Sequence, residues 1–334
     1  MEIKTILPWQ QGVWDSLLER KQQERLPHAW LFLGADGLGK KQFAETLAFS
    51  LLCHSPLPEG FACGQCRGCR LLQAGSHPDI KLIEPEETGQ MIKIDQVREI
   101  VGFVNETALM SGYRIIMIDP ASAMNINAAN ALLKTLEEPT PKTLIILICN
   151  QSMRLPATII SRCQRIIFPK PSQTVALKWL ETSCKEISVK PAELTLLLSM
   201  AEGAPLRAKD FLSNGMLSVR QELYQGLLQL SQQQSDPLQF AVRWQEQELQ
   251  IIFMLLLSWL RDALCAKVTA NSANLTNSDY QAAMEKLIQL FSAEKLLEYI
   301  DTVQQTYARF LNSLNVNKQL LLEEIFIRWI KLCS

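Results

Sequence analysis

Residues Gly34-Ala35-Asp36-Gly37-Leu38-Gly39-Lys40-Lys41 follow the phosphate-loop pattern G-x-x-x-x-G-K-[ST] up to its last position, where Lys41 replaces the hydroxyl residue. In such a loop Gly34, Gly37 and Gly39 let backbone N–H groups close around phosphates, and Lys40 reaches the β and γ oxygens. The absent Ser/Thr hydroxyl is the group that helps to hold Mg²⁺. A lysine ammonium offers a metal no lone pair and repels it. The pattern keeps the means to cradle phosphate and loses part of the means to hydrolyse a nucleotide. The alternative is a chance glycine turn between a strand and a helix.

A second group is metal-like. Cys53, Cys63, Cys66 and Cys69 are spaced C-x9-C-x2-C-x2-C, with Gly60, Gly64 and Gly68 among them. Four thiolates over so short a span can surround one tetrahedral Zn²⁺, and the glycines permit the tight turns. Short C-x2-C spacings also serve iron–sulfur clusters, and four free thiols in a loop are the remaining reading. His54 and His77 are substitute ligands that a full set of cysteines makes unnecessary. A site closed by four protein ligands has no open position, so it is structural and not catalytic.

These groups need a frame. His28-Ala29-Trp30-Leu31-Phe32-Leu33 is an apolar run ahead of the glycines and reads as a buried parallel strand. From Lys40 to Cys53, Phe43, Leu47, Leu51 and Leu52 recur at helical spacing. Strand, glycine loop and helix in that order aim helix N–H groups and the helix dipole at an anion. Asp79 to Glu84 predicts a second strand, and Asp95 then caps a helix carrying Val97, Ile100, Val101 and Val104. Arg114 to Asp119 is an apolar strand ending in an acid, followed by a helix expected from Ala121 to Glu138 and stopped by Pro139. Leu144 to Cys149, ending at Asn150, and Gln164 to Phe168 complete the strands. Alternation of this kind gives an α/β fold, a parallel sheet covered on both faces. Pro169-Lys170-Pro171 breaks the pattern. Three short helical segments follow in 172–212, then amphipathic helices from about 214, with polar joints at 231–236 and 270–278.

The chain of 334 residues has room for about two or three domains, and 48% hydrophobic with 20% charged residues suits globular cores. No signal-peptide pattern follows Met1-Glu2-Ile3-Lys4. The most apolar segment, Leu249 to Leu260, is interrupted by Gln250 and Ser258 and is shorter than the roughly 20 residues of a membrane span. A cytoplasmic location is expected. The formal net charge of −1 argues against a molecule that binds polyanions as a whole, so nucleic-acid contact needs a local patch or partners. Nine cysteines without a secretion signal point to thiols or metal ligands, not structural disulfides.

Asn127-Ala128-Ala129-Asn130-Ala131-Leu132-Leu133-Lys134-Thr135-Leu136-Glu137-Glu138-Pro139, followed by Ser161-Arg162-Cys163, resembles the AAA+ clamp-loader family when set beside the cysteine insert and the altered phosphate loop. The resemblance is strong over 28–169, modest over 170–213 and rests on helical content beyond. It implies an AAA+ P-loop domain over 1–169 with a zinc insert at 53–69, a three-helix lid over 170–213, and a helical collar over 214–334 that joins subunits. It also implies a place in the five-part, C-shaped loader of a bacterial DNA-directed DNA polymerase, a nucleotidyltransferase as a holoenzyme. That machine opens the ring-shaped sliding clamp and sets it on primed DNA in replication. The implied partners are gamma/tau subunits, which hydrolyse ATP, and the delta subunit, which opens the ring. Clamp and DNA are reached through the assembly, and no membrane is involved.

Two departures from an active ATPase point, within this resemblance, to a non-hydrolysing stator. One is Lys41. The other follows Asp119: active relatives carry Asp-Glu, whose acid aligns the attacking water, whereas Pro120, Ala121 and Ser122 follow here. Proline cannot act as a base or orient a water. Asp119 itself reads either as an acid near a metal or as a cap for the helix near Ala121. Arg162 matches the family's arginine finger, given in trans to the neighbouring subunit's ATP. A planar, fixed-charge fork suits phosphoryl transfer, and such fingers are worth about 10³–10⁵ in rate. Read alone, Arg162 is an arginine solvated on a loop or paired with Glu137 or Glu138, and Cys163 is a packing residue. Asn150 and Arg207 match the AAA+ sensor 1 and sensor 2 positions. Their local readings are a turn at a strand end and a helix start. The stripe Phe253, Leu256, Leu257, Leu260, Leu264 is core first and subunit interface second.

Structural Zn²⁺ is the expected cofactor, and productive ATP use by this chain is not expected. The rival readings are a working ATPase, with Lys40 binding ATP and another residue completing the metal site, and a zinc-dependent DNA-binding module. Near-neutral charge and the lack of a basic, aromatic-studded stripe count against the last.

Overall fold

Five short apolar runs pair as parallel strands in the computed structural model, which describes residues 5–87, 90–110, 112–150, 155–185, 187, 189–269, 275–280, 291–312 and 317–333. They are β1 (Ala29–Leu33), β2 (Ile80–Ile83), β3 (Arg114–Ile118), β4 (Thr143–Cys149) and β5 (Gln164–Ile167), in the order β2-β3-β4-β1-β5. Leu33 of β1 lies opposite Cys149 of β4, and Ile118 of β3 opposite Leu147. This register brings the C-terminal ends of the three central strands side by side, where open parallel sheets build their sites.

Alternation along each strand decides the two cores. Trp30 and Phe32, Ile115 and Met117, and Ile146 and Ile148 pack on one face with Trp14, Phe43 and Leu52. Those partners come from α1 (Gln11–Gln22) and α2 (Lys40–Leu52), and α3 (Arg67–Gln73) adds Cys69 and Leu72. Leu31, Ile116, Ile118, Ile145 and Leu147 face the other way, against α4 (Ile94–Asn105), α5 (Ile126–Glu137) and α6 (Ala157–Ile160). With both faces covered, β3 and β4 are buried along their whole length and read as continuous apolar runs. At the sheet edge β5 pairs with β1, and Gln164, Arg165 and Ile167 are exposed.

Two helix starts differ from the sequence expectation. α5 begins at Ile126 because Asn125 caps it, its Oδ1 accepting from the Ala128 N–H at 2.8 Å; Ala121–Ala123 form a separate 3-10 turn. α4 begins at Ile94, and Gln96 Oε1 reaches back to the Lys93 N–H at 2.9 Å. Asp95 therefore sits inside the first turn, where its charge suits the helix dipole.

The chain divides into two compact units, Met1–Lys185 with Gly203–Arg207, and Glu186–Glu202 with Ala208–Ser334. The first holds the sheet, its helices and α7 (Gln173–Ser183), and the boundary passes through α9 (Pro205–Ser213). The second contains α8 (Pro191–Met200), α10 (Met216–Ser231), α11 (Pro237–Trp244), α12 (Leu249–Thr269), α13 (Ala293–Asn312) and α14 (Lys318–Cys333), with no strand among its described residues. α10 and α11 pack on α14, and α12 on α13, around Phe253, Leu322 and Phe326.

α12 runs further than the apolar segment that marks it in the sequence. Leu249–Val268 is long and apolar enough to cross a membrane, yet half of it is buried inside the protein. Phe253, Leu256 and Leu260 of the predicted stripe are core residues. Asp262 is also buried, and Asn277 satisfies it through its backbone N–H at 2.7 Å and its side-chain Nδ2 at 2.8 Å. A buried acid with built-in donors is the signature of a protein core. Residues 270–274 of the expected polar joint lie outside the described residues.

Candidate functional site

β1 delivers the chain into the glycine loop and α2 leaves it at Lys40, so strand, loop and helix follow one another as the sequence predicts. Gly37 and Gly39 adopt φ of 78° and 80°, where a side chain is strained. Space forbids one too. A Cβ on Gly37 would lie 2.5 Å from Arg207 Cβ, and one on Gly39 would lie 2.4 Å from Leu7 Cδ1. Neighbours hold the loop's carbonyls: Trp9 Nε1 and Gln10 Nε2 donate to Leu38 O at 3.0 and 2.9 Å, and the Leu206 N–H donates to Gly37 O at 3.1 Å. Lys40 is turned back on the same loop, buried, with Nζ donating to Gly34 O at 2.8 Å and Ala35 O at 2.7 Å. Burial pushes its pKa below the usual lysine value, against the pull of Asp36 and Asp119.

Lys41 reaches the acids at the strand ends. Its Nζ lies 2.5 Å from Glu84 Oε1, just beyond β2. Burial works against the ammonium, but Glu84 and then Asp119 and Glu45 outweigh it and its pKa is raised. Ile83 and Ile118 pair across the sheet, which places Glu84 next to Asp119, whose N–H donates to Ile83 O at 3.0 Å. Burial pushes the Asp119 carboxyl up to about 6, with Lys41 pulling the other way. Asp119 does not cap α5, since Asn125 does. The sequence reading missed Glu84 as a partner, because nothing in it sets the strand of Asp79 to Glu84 beside the one that ends at Asp119.

Asn150 is exposed just after β4, at the same end of the sheet. Arg207 lies in the first turn of α9, with its Cβ close over Gly37. The loop glycines, Lys40, Asp119, Asn150 and Arg207 are thus gathered at one end. Arg162 stands apart, in the turn between α6 and β5. Its neighbours Ile159 and Cys163 are buried in the second core, and burial pushes the Cys163 thiol up to about 11. The guanidinium remains partly exposed, with Nη2 2.6 Å from Glu137 Oε1 and Nη1 donating to Thr158 O at 3.0 Å. Of the two acids considered as partners, Glu137 forms the pair.

The cysteines close into a cage where α2 ends and α3 begins. Cys53 Sγ lies 3.5 Å from Cys63 Sγ and 3.9 Å from Cys66 Sγ, and Cys63 Sγ lies 3.9 Å from Cys69 Sγ. A tetrahedral ion with metal–sulfur bonds of about 2.3 Å sets its sulfurs roughly 3.8 Å apart. The cage therefore has the size for one ion, whereas a multi-iron cluster would hold the thiolates further apart. Backbone N–H groups of Cys63, Cys66 and Cys69 point at sulfurs at 3.3 to 3.4 Å, the arrangement that favours thiolates. The Ser55 hydroxyl, then the N–H groups of Gln65 and Cys66, pull the Cys63 thiol down to about 5, while burial pushes Cys53 up. His77 is buried outside this group, its Nδ1 accepting from the Asp79 N–H at 3.1 Å.

The first half of the chain, residues 9–172, matches the family model described as DNA polymerase III, delta subunit, and residues 215–331 match its C-terminal counterpart. DNA polymerase III subunit delta' of Pseudomonas aeruginosa is 38% identical over 328 residues, 98% of either chain. The chain belongs to the DNA polymerase III delta' family. The first match of this delta' chain contains the glycine loop, the cysteine cage and Arg162, and the second covers most of the helical unit. DNA polymerase III subunit tau of Bacillus subtilis is 30% identical over 210 residues, 62% of this chain and 36% of that one, which relates the delta' chain to tau-type subunits. A crystal structure of a DNA polymerase III gamma subunit-related protein from Thermotoga maritima aligns over 96% of this chain and 99% of that one, with 18% identity and a TM-score of 0.41. The parallel five-stranded sheet and helical second unit are the AAA+ clamp-loader class of fold.

Proposed function

We propose that this chain is a non-hydrolysing stator subunit of the bacterial DNA polymerase III clamp loader, acting in DNA replication beside gamma/tau and delta subunits. The Lys41–Glu84 ion pair beside Asp119 carries the reading. A cation built into the chain takes the charge that the acids at the strand ends could offer to Mg²⁺, and Pro120 follows Asp119 where a water-orienting acid is needed. Gly34, Gly37, Gly39, Lys40, Asn150 and Arg207 then serve as retained architecture that packs the loop. Arg162 is the residue that acts chemically, in trans, on the ATP of the neighbouring subunit.

In this reading the chain has an AAA+ domain over 1–169, a lid over 170–213 and a collar over 214–334, and it works in the cytoplasm. Cys53, Cys63, Cys66 and Cys69 hold one Zn²⁺, which cross-links the end of α2 to the start of α3 and supplies folding energy and no reaction step. Sliding clamp and primed DNA are met through the assembly.

ATP turnover by the purified chain at saturating Mg-ATP, measured beside the loader assembled with and without it, tests the reading. Background turnover alone and faster turnover in the complete loader are expected. Turnover by the chain alone that is lost in Lys40→Ala would overturn it.

A further inference from the structure

We infer that Glu137 is a positioning residue for Arg162. The inference rests on the reading of Arg162 as an arginine acting in trans. The backbone at Arg162 is clamped on both sides, because Ile159 and Cys163 are buried in the core shared by α5 and the sheet. The Arg162 N–H donates to Ile159 O at 3.1 Å, which closes the turn. A fixed backbone alone does not aim a long arginine side chain, which carries large rotamer freedom. Three further contacts restrict it. Glu137 Oε1 takes Nη2 at 2.6 Å, and Thr158 O takes Nη1 at 3.0 Å with Ser161 Oγ at 3.4 Å.

Glu137 is well placed for this task. It is the last residue of α5, whose inner face, Ala128, Ala129, Leu132 and Leu136, is buried in the same core as Ile159 and Cys163. α5 also packs directly against α6. The carboxylate therefore comes from a rigid element and meets the guanidinium from outside its own turn. The protein takes donors from both terminal nitrogens, and the guanidinium, partly exposed and carrying five N–H donors, keeps others for a ligand. Catalytic groups lose rate steeply when displaced by about an ångström, so a pre-aimed fork acts through the rate of the chemical step and not through assembly. The same pair could instead hold the guanidinium back from ATP, and the sign of a substitution at Glu137 separates the two roles.

The test is single-turnover ATP hydrolysis in a reconstituted loader where the site beside this chain is the one competent to hydrolyse. Glu137→Ala should lower the single-turnover rate constant about tenfold with the half-saturating ATP concentration and loader assembly unchanged, and Glu137→Gln, which keeps an acceptor oxygen, should lose less. The double variant with Arg162→Ala should be no slower than Arg162→Ala alone, because Glu137 acts only through the arginine. If Arg162→Ala slows hydrolysis while Glu137→Ala leaves it unchanged or speeds it, the positioning role is overturned and the arginine reading stands. If Arg162→Ala itself has no effect, the arginine reading fails, and the positioning role with it.

Discussion

Lys41 Nζ lies 2.5 Å from Glu84 Oε1, joining the first turn of α2 to the residue that follows β2. Asp119 lies beside Glu84 on the next strand and feels the same ammonium. The pair is part-exposed, so its worth to stability is small, about 0–1 kcal/mol. Its consequence is electrostatic: the acids at this end of the sheet already have a cation.

Replacing that cation with a hydroxyl should change binding and not turnover. Lys41→Thr is expected to strengthen Mg²⁺-dependent binding of a fluorescent ATP analogue at least a few-fold, with a melting temperature close to the parent's. Hydrolysis should stay at background, because Pro120 still follows Asp119. Turnover restored by this one substitution would show that the acid after Asp119 is dispensable.

Asp119 should leave a pH signature. Its folded pKa of about 6 lies above the unfolded value of about 3.9, so the folded chain holds the proton more tightly. The stability it contributes is complete below about pH 4 and is lost as pH rises through about 6. Asp119→Asn removes that titration. Its melting temperature relative to the parent should therefore climb between pH 5 and pH 8, and a difference that stays flat across this range rejects the buried-acid assignment.

How much of this was legible beforehand varies by element. The strands were legible because β1, β3 and β4 are covered on both faces and become unbroken apolar runs. The start of α5 was not, since Ala121 and Ser122 look helical and only the Asn125 side chain, bonded to the Ala128 N–H, marks the true cap. The cage was legible from spacing alone. Glu84 gained its role only in three dimensions, where pairing of β2 with β3 sets it beside Asp119 and within reach of Lys41, whereas Glu137 was one of two acids the sequence offered to Arg162 and the packing of α5 on α6 selects it. No period in the sequence records such contacts.

Metal removal should reach beyond the cage. Phe61, inside the insert, stacks on Trp14 with centroids 4.8 Å apart, and Trp14 Nε1 donates to Glu59 O at 3.1 Å. Chelation of the expected single Zn²⁺ should loosen residues 53–69 and shift tryptophan fluorescence while the sheet persists by far-ultraviolet circular dichroism. Cys69→Ser, at a fully buried ligand position, should lose the ion. Elemental analysis finding no metal in protein prepared under reducing, chelator-free conditions would remove this assignment.

Gly226 supplies a stability test in the helical unit. Gly to Ala inside a helix ordinarily stabilises by up to about 1 kcal/mol. Here a Cβ would fall 2.1 Å from Phe240 Cε2, and Phe240 is itself packed edge-on to Phe326 at 4.7 Å. Overpacking of this kind costs about 1–3 kcal/mol, so the clash should win and Gly226→Ala should lower the melting temperature. Adding Phe240→Leu should recover part of the loss; a stabilised single variant would contradict the close approach of Phe240 to Gly226.

Arg162 carries the sharpest consequence. Its ion pair with Glu137 is part-exposed, so Arg162→Ala should leave folding, zinc content and assembly essentially unchanged, within about 1 kcal/mol of stability. ATP hydrolysis at the adjoining gamma-type site should nevertheless fall by about 10³-fold or more, and clamp loading with it. Arg162→Lys should rescue poorly, because an ammonium keeps the charge but lacks the planar fork that can meet Glu137 and a phosphate oxygen together. Measurement in a loader whose other sites cannot hydrolyse prevents them from masking the loss. A normal single-turnover rate there, in a fully assembled complex, would leave Arg162 as a surface arginine whose partner is Glu137 and nothing more.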